Sequence, residues 1–227
     1  MSKGSGLDSY KGLITPEQAA EGMNLAIRNA RRLSVDAGLL LDLKSYPTAA
    51  SLSALAIEEC GKVSLLRRIA LVTTESEAKK AWREYRNHRS KNGLWILPKL
   101  AKDGAIYLTQ LSEAIDPKAR HTSVLDGVKQ IGFYTDCLGN AHWSDPESSI
   151  EEPLATGLVS IADKLSRMRE VTIREMELWV QHLRPHNKTP QMATALLQWH
   201  KAMTNEGLAK ESHEKFRDFV TGGGSVS

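Results

Sequence analysis

The stretch that decides the expected fold is residues 49–72, which read AASLSALAIEECGKVSLLRRIALV. Its first part is apolar nearly all round, which is typical of a helix buried on every side at the centre of a helical bundle. The motif Glu58-Glu59-Cys60-Gly61-Lys62 then interrupts the apolar sequence. Charges on a core-facing helix are costly unless they are paired or used. This motif is therefore the first place to look for function.

Helical periodicity extends on both sides of this central stretch. Thr15-Pro16-Glu17-Gln18 combines an N-cap, a first-turn proline and a capping-box partner, and it predicts a first helix that ends near Lys44. Thr73 and Thr74 predict the start of a third helix that continues to about Leu97, where Pro98 stops or kinks it. The other expected segments are short helices over 105–115 and 123–131, a loop over 132–153, a long helix from 154 to about 182, and two short helices within 189–220.

We therefore expect an all-α protein, an up-and-down bundle with a short C-terminal helical appendage. The predicted divisions are a flexible N-terminus at 1–12, the bundle at 13–186, the appendage at 187–220 and a flexible tail at 221–227. No apolar run approaches the 18 or so residues of a membrane span, and residues 1–12 lack the apolar core of a signal peptide. These observations predict a cytoplasmic protein with no membrane partner.

The two cysteines, Cys60 and Cys137, form neither a disulfide framework nor a metal-binding spacing. No phosphate-binding loop or dinucleotide fingerprint is found in the sequence either. We predict no cofactor and no metal.

The net charge of +3 is concentrated in one segment. Residues 79–91 contain six Lys or Arg and one acid, Glu84, so they carry +5 while the rest of the chain carries −2. Such a cluster can attract the phosphate backbone of a nucleic acid. The alternative interpretation is a solvated helix face with no ligand.

Polar side chains of the second and third helices are expected to meet. Glu59 and Lys62 share a stripe with core leucines, and His88 and Lys91 share the edge of the third helix. If the two helices are antiparallel neighbours, Glu59 and His88 fall at a similar height. Histidine titrates near neutral pH and suits proton transfer, and lysine can hold a phosphate. The alternative is a Glu59–Lys62 ion pair that only orients the helix.

Gly61 lies inside this predicted helix, where glycine costs roughly 1 kcal/mol relative to alanine. A glycine at such a position indicates that a neighbouring backbone or side chain approaches closely.

Three motifs in this order resemble the abortive-infection AbiV branch of the HEPN superfamily. They are ALAIEECGK at 54–62, HRSK at 88–91 and KQIGFYTD at 129–136, and Asn29, Ala30 and Leu33 agree as well. The resemblance covers roughly residues 15 to 180 and leaves the C-terminal appendage outside. It implies a helical HEPN bundle, often a homodimer, that acts in bacterial antiphage defence. It also implies a phage-encoded activator protein as a partner.

Many HEPN proteins are metal-independent ribonucleases, and the resemblance implies RNA as the substrate. The family's catalytic signature, an arginine followed after four to six residues by a histidine, matches Arg83 and His88. In this scheme His88 helps to deprotonate a ribose 2′-hydroxyl, and a basic neighbour stabilises the phosphorane. The predicted catalytic residues are His88, Arg83, Lys91 and Glu59, and the predicted RNA- or phosphate-binding residues are Lys62, Arg86, Arg89, Tyr134 and Asp136.

Alternatives stay open at this point. In one regular helix Arg83 and His88 lie about 140° apart, so Arg86 or Lys91 could bind the phosphate instead. Tyr134 and Asp136 could serve only to pack and to cap the end of a helix. The alternative function is a non-catalytic interaction module that blocks translation or senses a phage protein by binding.

Overall fold

The protein is described here by a computed structural model that covers residues 8–115 and 120–222. The all-α fold expected from the sequence is confirmed. The α-helices are α1 Pro16–Asp42, α2 Tyr46–Ile69, α3 Glu75–Arg86, α4 His88–Lys91, α5 Leu97–Lys102, α6 His121–Phe133, α7 Pro146–Ser149, α8 Glu152–Ser166, α9 Ile173–Leu183, α10 Met192–Asn205 and α11 His213–Thr221. Turns of 3₁₀-helix span Asn92–Ile96, Leu108–Ile115 and Arg184–His186, and a two-residue hairpin pairs β1 Cys137–Leu138 with β2 His142–Trp143.

Helix α2 is the centre of the bundle, as its apolar sequence predicts. It contacts α1, α3, α6 and α8, and its alanines Ala50, Ala54 and Ala56 are fully buried. Two hydrophobic clusters share this helix: Ile57 belongs to one and Val63 to the other. The polar motif therefore lies between two apolar clusters rather than inside either.

The start of α1 has the predicted capping box. The Thr15 hydroxyl accepts from the Gln18 N–H, and the Gln18 side chain accepts from the Thr15 N–H. Two of the first-turn donors that a helix leaves unpaired are satisfied in this way.

The prediction that the third helix runs without a break to about Leu97 is wrong. Helix α3 ends at Arg86, Asn87 is extended (φ −78°, ψ 124°), and the chain re-forms a turn of helix at His88. The break lets residues 91–93 turn inward and become buried against α2, which one straight helix could not allow. Pro98 stands in the first turn of α5, where a proline's missing N–H costs nothing.

The predicted long helix after residue 153 is also two helices. Helix α8 ends at Ser166 and α9 begins at Ile173, with a capping box formed by Thr172 and Glu175. The Thr172-x-x-Glu175 spacing is a helix-start signal that the apolar periodicity hides. The predicted loop over 132–153 contains the β-hairpin and α7.

At the N-terminus, residues 1–7 lie outside the described residues, as do residues 223–227 of the predicted tail. Residues 10–13 pack on α3: the Trp82 indole donates to Gly12 O at 2.8 Å, and Tyr10 meets the Trp82 ring edge-on. Within the described ranges, no helix has both the length and the hydropathy that crossing a bilayer requires.

The C-terminal helices α10 and α11 are tied to the bundle through aromatic contacts. The Arg67 guanidinium lies 5.0 Å from the Trp179 ring and 5.8 Å from the Trp199 ring, which meet edge-on. Desolvation at this junction lowers the pKa of Arg67.

The stability of this C-terminal region should depend on pH through His200. This buried side chain stacks on Phe216 at 4.0 Å, and its Nδ1 lies 3.4 Å from that of His213. Burial, and then the charge of His213, lower the pKa of His200. The unfolded chain therefore binds the proton more readily, so the stabilisation is complete above about pH 6.5 and declines below it. We expect the melting temperature to fall more steeply on acidification in the wild type than in His200→Gln; equal slopes would contradict this.

Candidate active site

One buried carboxylate gathers three basic side chains. Glu58 on α2 is only 3% exposed. Its Oε1 accepts from Lys129 Nζ at 2.5 Å, and its Oε2 lies 2.9 Å from His88 Nδ1 and 3.5 Å from Lys91 Nζ. Asp126, on the same helix as Lys129, adds a second carboxylate 3.2 Å from that ammonium. We call Glu58, His88, Lys91, Asp126 and Lys129 the Glu58 cluster.

Gly61 makes this arrangement possible. A Cβ built on Gly61 would lie 2.0 Å from the backbone oxygen of Lys91, far inside van der Waals contact. The close approach predicted at this glycine is therefore confirmed. Because α4 and the following turn can lie directly on α2, His88 and Lys91 come within reach of Glu58.

Gly132 has a similar role on α6. A Cβ there would lie 2.3 Å from Ser51 Oγ and 2.8 Å from the Pro47 carbonyl oxygen, both on α2. The close contact of the two helices brings Lys129, one turn earlier on α6, to Glu58.

One ring nitrogen of His88 contacts a buried carboxylate, while much of the side chain is exposed to solvent. Its side chain is 55% exposed although Nδ1 contacts the buried Glu58. Lys129 Nζ also lies 3.3 Å from Nδ1, but that ammonium has nearer acceptors in the two carboxylates. The shorter contact to Glu58 assigns the Nδ1–H tautomer, which leaves Nε2 with a lone pair. A histidine held in this way can accept a proton at Nε2.

Lys91 is the most buried basic residue among the described side chains of the 79–91 segment. Burial lowers the pKa of Lys91, and the Glu58 carboxylate acts in the opposite direction. Its side chain is only 8% exposed, as is that of Lys129, and Glu58 is the carboxylate that both ammonium groups contact; Lys129 has Asp126 as a second one.

Glu59 and Lys62 form the ion pair predicted as the alternative to a catalytic role. Lys62 Nζ lies 2.6 Å from Glu59 Oε1, with the side chains 23% and 16% exposed, and it lies 5.8 Å from the centroid of the Tyr85 ring. The sequence predicts Glu59 opposite His88, whereas the structure pairs His88 with Glu58. The reason is angular, because successive residues of a helix point about 100° apart.

The described arginines of the basic segment have different surroundings. Arg83 is exposed on α3 and is separated from His88 by the break at Asn87. Arg86 donates to the Trp82 carbonyl at 3.2 Å and to that of Tyr10, and its guanidinium lies over the Trp82 ring. These contacts anchor Arg86 to the N-terminal segment. The Arg89 side chain lies outside what the structure describes.

Tyr134 and Asp136 follow the end of α6 and are exposed. The Asp136 carboxylate accepts from the Cys137 N–H at 2.7 Å, and its backbone pairs with Ser144 across the base of the hairpin. Asp136 thus stabilises the hairpin, whereas the alternative from the sequence is that it caps the end of a helix. The Tyr134 ring meets the Phe133 ring edge-on at 6.3 Å.

Sequence reasoning includes Glu58 in the charged motif of the central helix, but it gives no site role to Glu58, Asp126 or Lys129. A signal for Lys129 exists, since it begins the third motif and lies three residues after Asp126, on the same helix face. What the sequence could not supply is its contact with a residue 71 positions away.

The cluster also contains groups that could hold a metal ion. One ligand atom each from Glu58, His88 and Asp126 lie within 4.8 Å of one another. The ammonium of Lys129 contacts all three residues.

The sequence also matches a known protein family. The pattern of the family described as HEPN_AbiV, AbiV, matches residues 18–167, which span α1 to α8 and include the whole Glu58 cluster. Helices α9 to α11 lie beyond the matched range. No curated protein and no solved structure matches the chain.

Proposed function

Because this chain belongs to the AbiV family of abortive-infection HEPN proteins, we propose that it is a metal-independent endoribonuclease. It would cut RNA and so arrest translation when a phage infects the cell. The observation that carries this proposal is the setting of His88. One ring nitrogen is fixed by a buried carboxylate, the ring is half exposed, and the Lys129 ammonium lies 3.3 Å from the fixed nitrogen.

The proposed reaction is an internal transesterification of RNA. His88 Nε2 takes the proton of a ribose 2′-hydroxyl, and the 2′-oxygen attacks the adjacent phosphorus. The bond from phosphorus to the 5′-oxygen breaks, and that oxygen takes a proton from water or from an acid. The products are a 2′,3′-cyclic phosphate and a 5′-hydroxyl. Glu58 takes the role predicted for Glu59, because it positions His88.

The phosphate needs cationic contacts that solvent can reach. Arg83 is exposed on the helix next to His88, and Lys62 is partly exposed beside Tyr85. Lys91 and Lys129 are too buried for direct contact, so we assign them to holding Glu58 and thereby His88. Arg89 and Tyr134 remain candidates for binding the flanking nucleotides.

We further propose, from the family alone, that two copies form a homodimer in the bacterial cytoplasm and that a phage-encoded protein activates it. A second copy would bring another His88 and a second basic segment, which suits a substrate longer than one nucleotide.

Replacing His88 tests the enzyme directly. We expect His88→Ala to reduce RNA cleavage about 10²- to 10⁴-fold, the usual contribution of a general base. Cleavage would be measured on purified protein in the presence of a chelator, with and without extract from phage-infected cells. The fold should survive, since the ring is largely exposed.

The matched control is His142→Ala, an exposed histidine on the hairpin, which should cut like the wild type. RNA left intact by the wild type in every condition, or cut equally by His88→Ala, would remove the nuclease proposal.

A second candidate function is binding without catalysis. The observation that favours it is the separation of Arg83 from His88 by an extended residue, which departs from the continuous helical signature. In that case His88→Ala would keep full defence against phage in cells. Charge reversal on the exposed α3 face, by Lys79→Glu with Arg83→Glu, would abolish it.

A further inference from the structure

We propose that the Lys129 ammonium occupies the position of a metal ion, and that Glu58, His88 and Asp126 form a latent divalent-cation site which this lysine closes. The inference concerns the cation that holds the three residues together. It does not depend on RNA being the substrate.

The geometry around Lys129 Nζ is that of a bound cation. Its distances are 2.5 Å to Glu58 Oε1, 3.2 Å to Asp126 Oδ1 and 3.3 Å to His88 Nδ1. For Nδ1 to bind a metal ion, the ring proton that it donates to Glu58 has to move to Nε2, so the tautomer of His88 changes when the lysine is replaced by a metal ion. Those three residues also offer ligand atoms within 4.8 Å of one another. Two carboxylates and one imidazole are a donor set that zinc accepts in proteins, with water in the fourth position.

Charge explains why the lysine and a metal ion exclude each other. A divalent ion among these ligands would lie within a few ångströms of the Lys129 ammonium, whose side chain is only 8% exposed, and like charges repel strongly at that distance. The lysine is also tethered, so it competes at a high local concentration. Removing its side chain takes away both the charge and the volume that fill the site.

Lys91 limits the affinity of the opened site without blocking it. Its ammonium lies 3.5 Å from Glu58 Oε2, whereas Lys129 contacts Oε1. Removing Lys129 therefore releases Oε1, while the Lys91 ion pair is with Oε2.

Zinc binding by Lys129→Ala and Lys129→Gln tests this inference. Titration calorimetry with ZnCl₂ should show one more bound ion per chain than in the wild type, at least about tenfold tighter than any wild-type site. Zinc at a hundredfold excess over its dissociation constant should raise the melting temperature of Lys129→Ala by about 5 °C or more, and EDTA should reverse the shift. The wild type supplies the background from other histidines, such as His200 with His213.

The decisive control is His88→Ala combined with Lys129→Ala, which should lose the added ion. No added ion in either single variant would overturn the inference, as would an added ion that persists without His88. If a variant is unfolded when purified, recovery of a cooperative melt with zinc supports the inference, and failure of both variants to recover contradicts it. Because no RNA is used, the result stands apart from that of the nuclease assay.

Discussion

Glu58→Gln is expected to lower the free energy of unfolding by about 3–5 kcal/mol, the usual cost of removing one partner of a buried ion pair. The substitution keeps the size of the side chain and removes its charge. Lys91 and Lys129, whose side chains are each 8% exposed, would lose the carboxylate that they share, although Lys129 keeps its contact with Asp126. Urea denaturation near neutral pH measures the change.

The neighbouring residue provides a matched control. Glu59→Gln removes the same charge one position along the same helix, but its pair with Lys62 is partly solvated. The exposure of this pair lies between that of exposed pairs, which contribute about 1 kcal/mol or less, and that of buried pairs, so we expect a smaller loss than at Glu58. A loss at Glu59 equal to that at Glu58 would show that the buried carboxylate does not hold the site.

Gly61→Ala should destabilise the protein by about 3 kcal/mol and displace the site. The added methyl group would meet the Lys91 backbone, with the oxygen at 2.0 Å, the carbonyl carbon at 2.8 Å and Cα at 2.9 Å. Backbone atoms cannot rotate away as the end of a side chain can. The α4 turn must therefore move off α2 and take His88 with it, so the proposed cleavage should also be lost.

The matched control is Gly157→Ala on α8, where an added Cβ meets nothing within 4 Å. There alanine should be neutral or stabilising by up to about 1 kcal/mol, because glycine is the poorer helix former. The melting temperatures of both variants are compared with that of the wild type. Equal stability of the two would contradict the tight contact at Gly61.

The sequence predicts the central helix well because burial on all sides leaves a direct mark, a run that is apolar all round. It also predicts the start of α1, where Thr15, Pro16 and Gln18 act locally. It fails at Asn87, where the basic residues on both sides are compatible with one continuous helix. The break there is stabilised by contacts with α2 that local sequence does not encode.

At the candidate site, too, local features could be predicted from the sequence and tertiary contacts could not. The polar motif and His88 could be identified from charge and spacing, but the choice between Glu58 and Glu59 depends on a rotation of about 100° about the helix axis. That rotation is set by how α4 and α6 pack on α2. Lys129 enters only through the tertiary fold, and it completes the cluster.

The position of the cluster explains why stability and activity should be separable at this site. The space between the two hydrophobic clusters is filled by Glu58, Lys91 and Lys129. Replacing one of these residues should mainly lower the stability of the fold. His88 lies at the edge of the cluster with its ring half exposed. Replacing it should mainly lower the rate of RNA cleavage. Measuring both stability and RNA cleavage for the two kinds of variant therefore distinguishes residues that support the fold from residues that take part in the reaction.

The most direct test of the proposed chemistry is the end group of the RNA fragments released by the activated wild-type protein in chelator, read by mass spectrometry. Attack by a 2′-oxygen with His88 as base predicts 2′,3′-cyclic phosphate and 5′-hydroxyl ends, with no such fragments from His88→Ala. Fragments with 3′-hydroxyl ends, or cyclic-phosphate fragments produced equally well without His88, would contradict it.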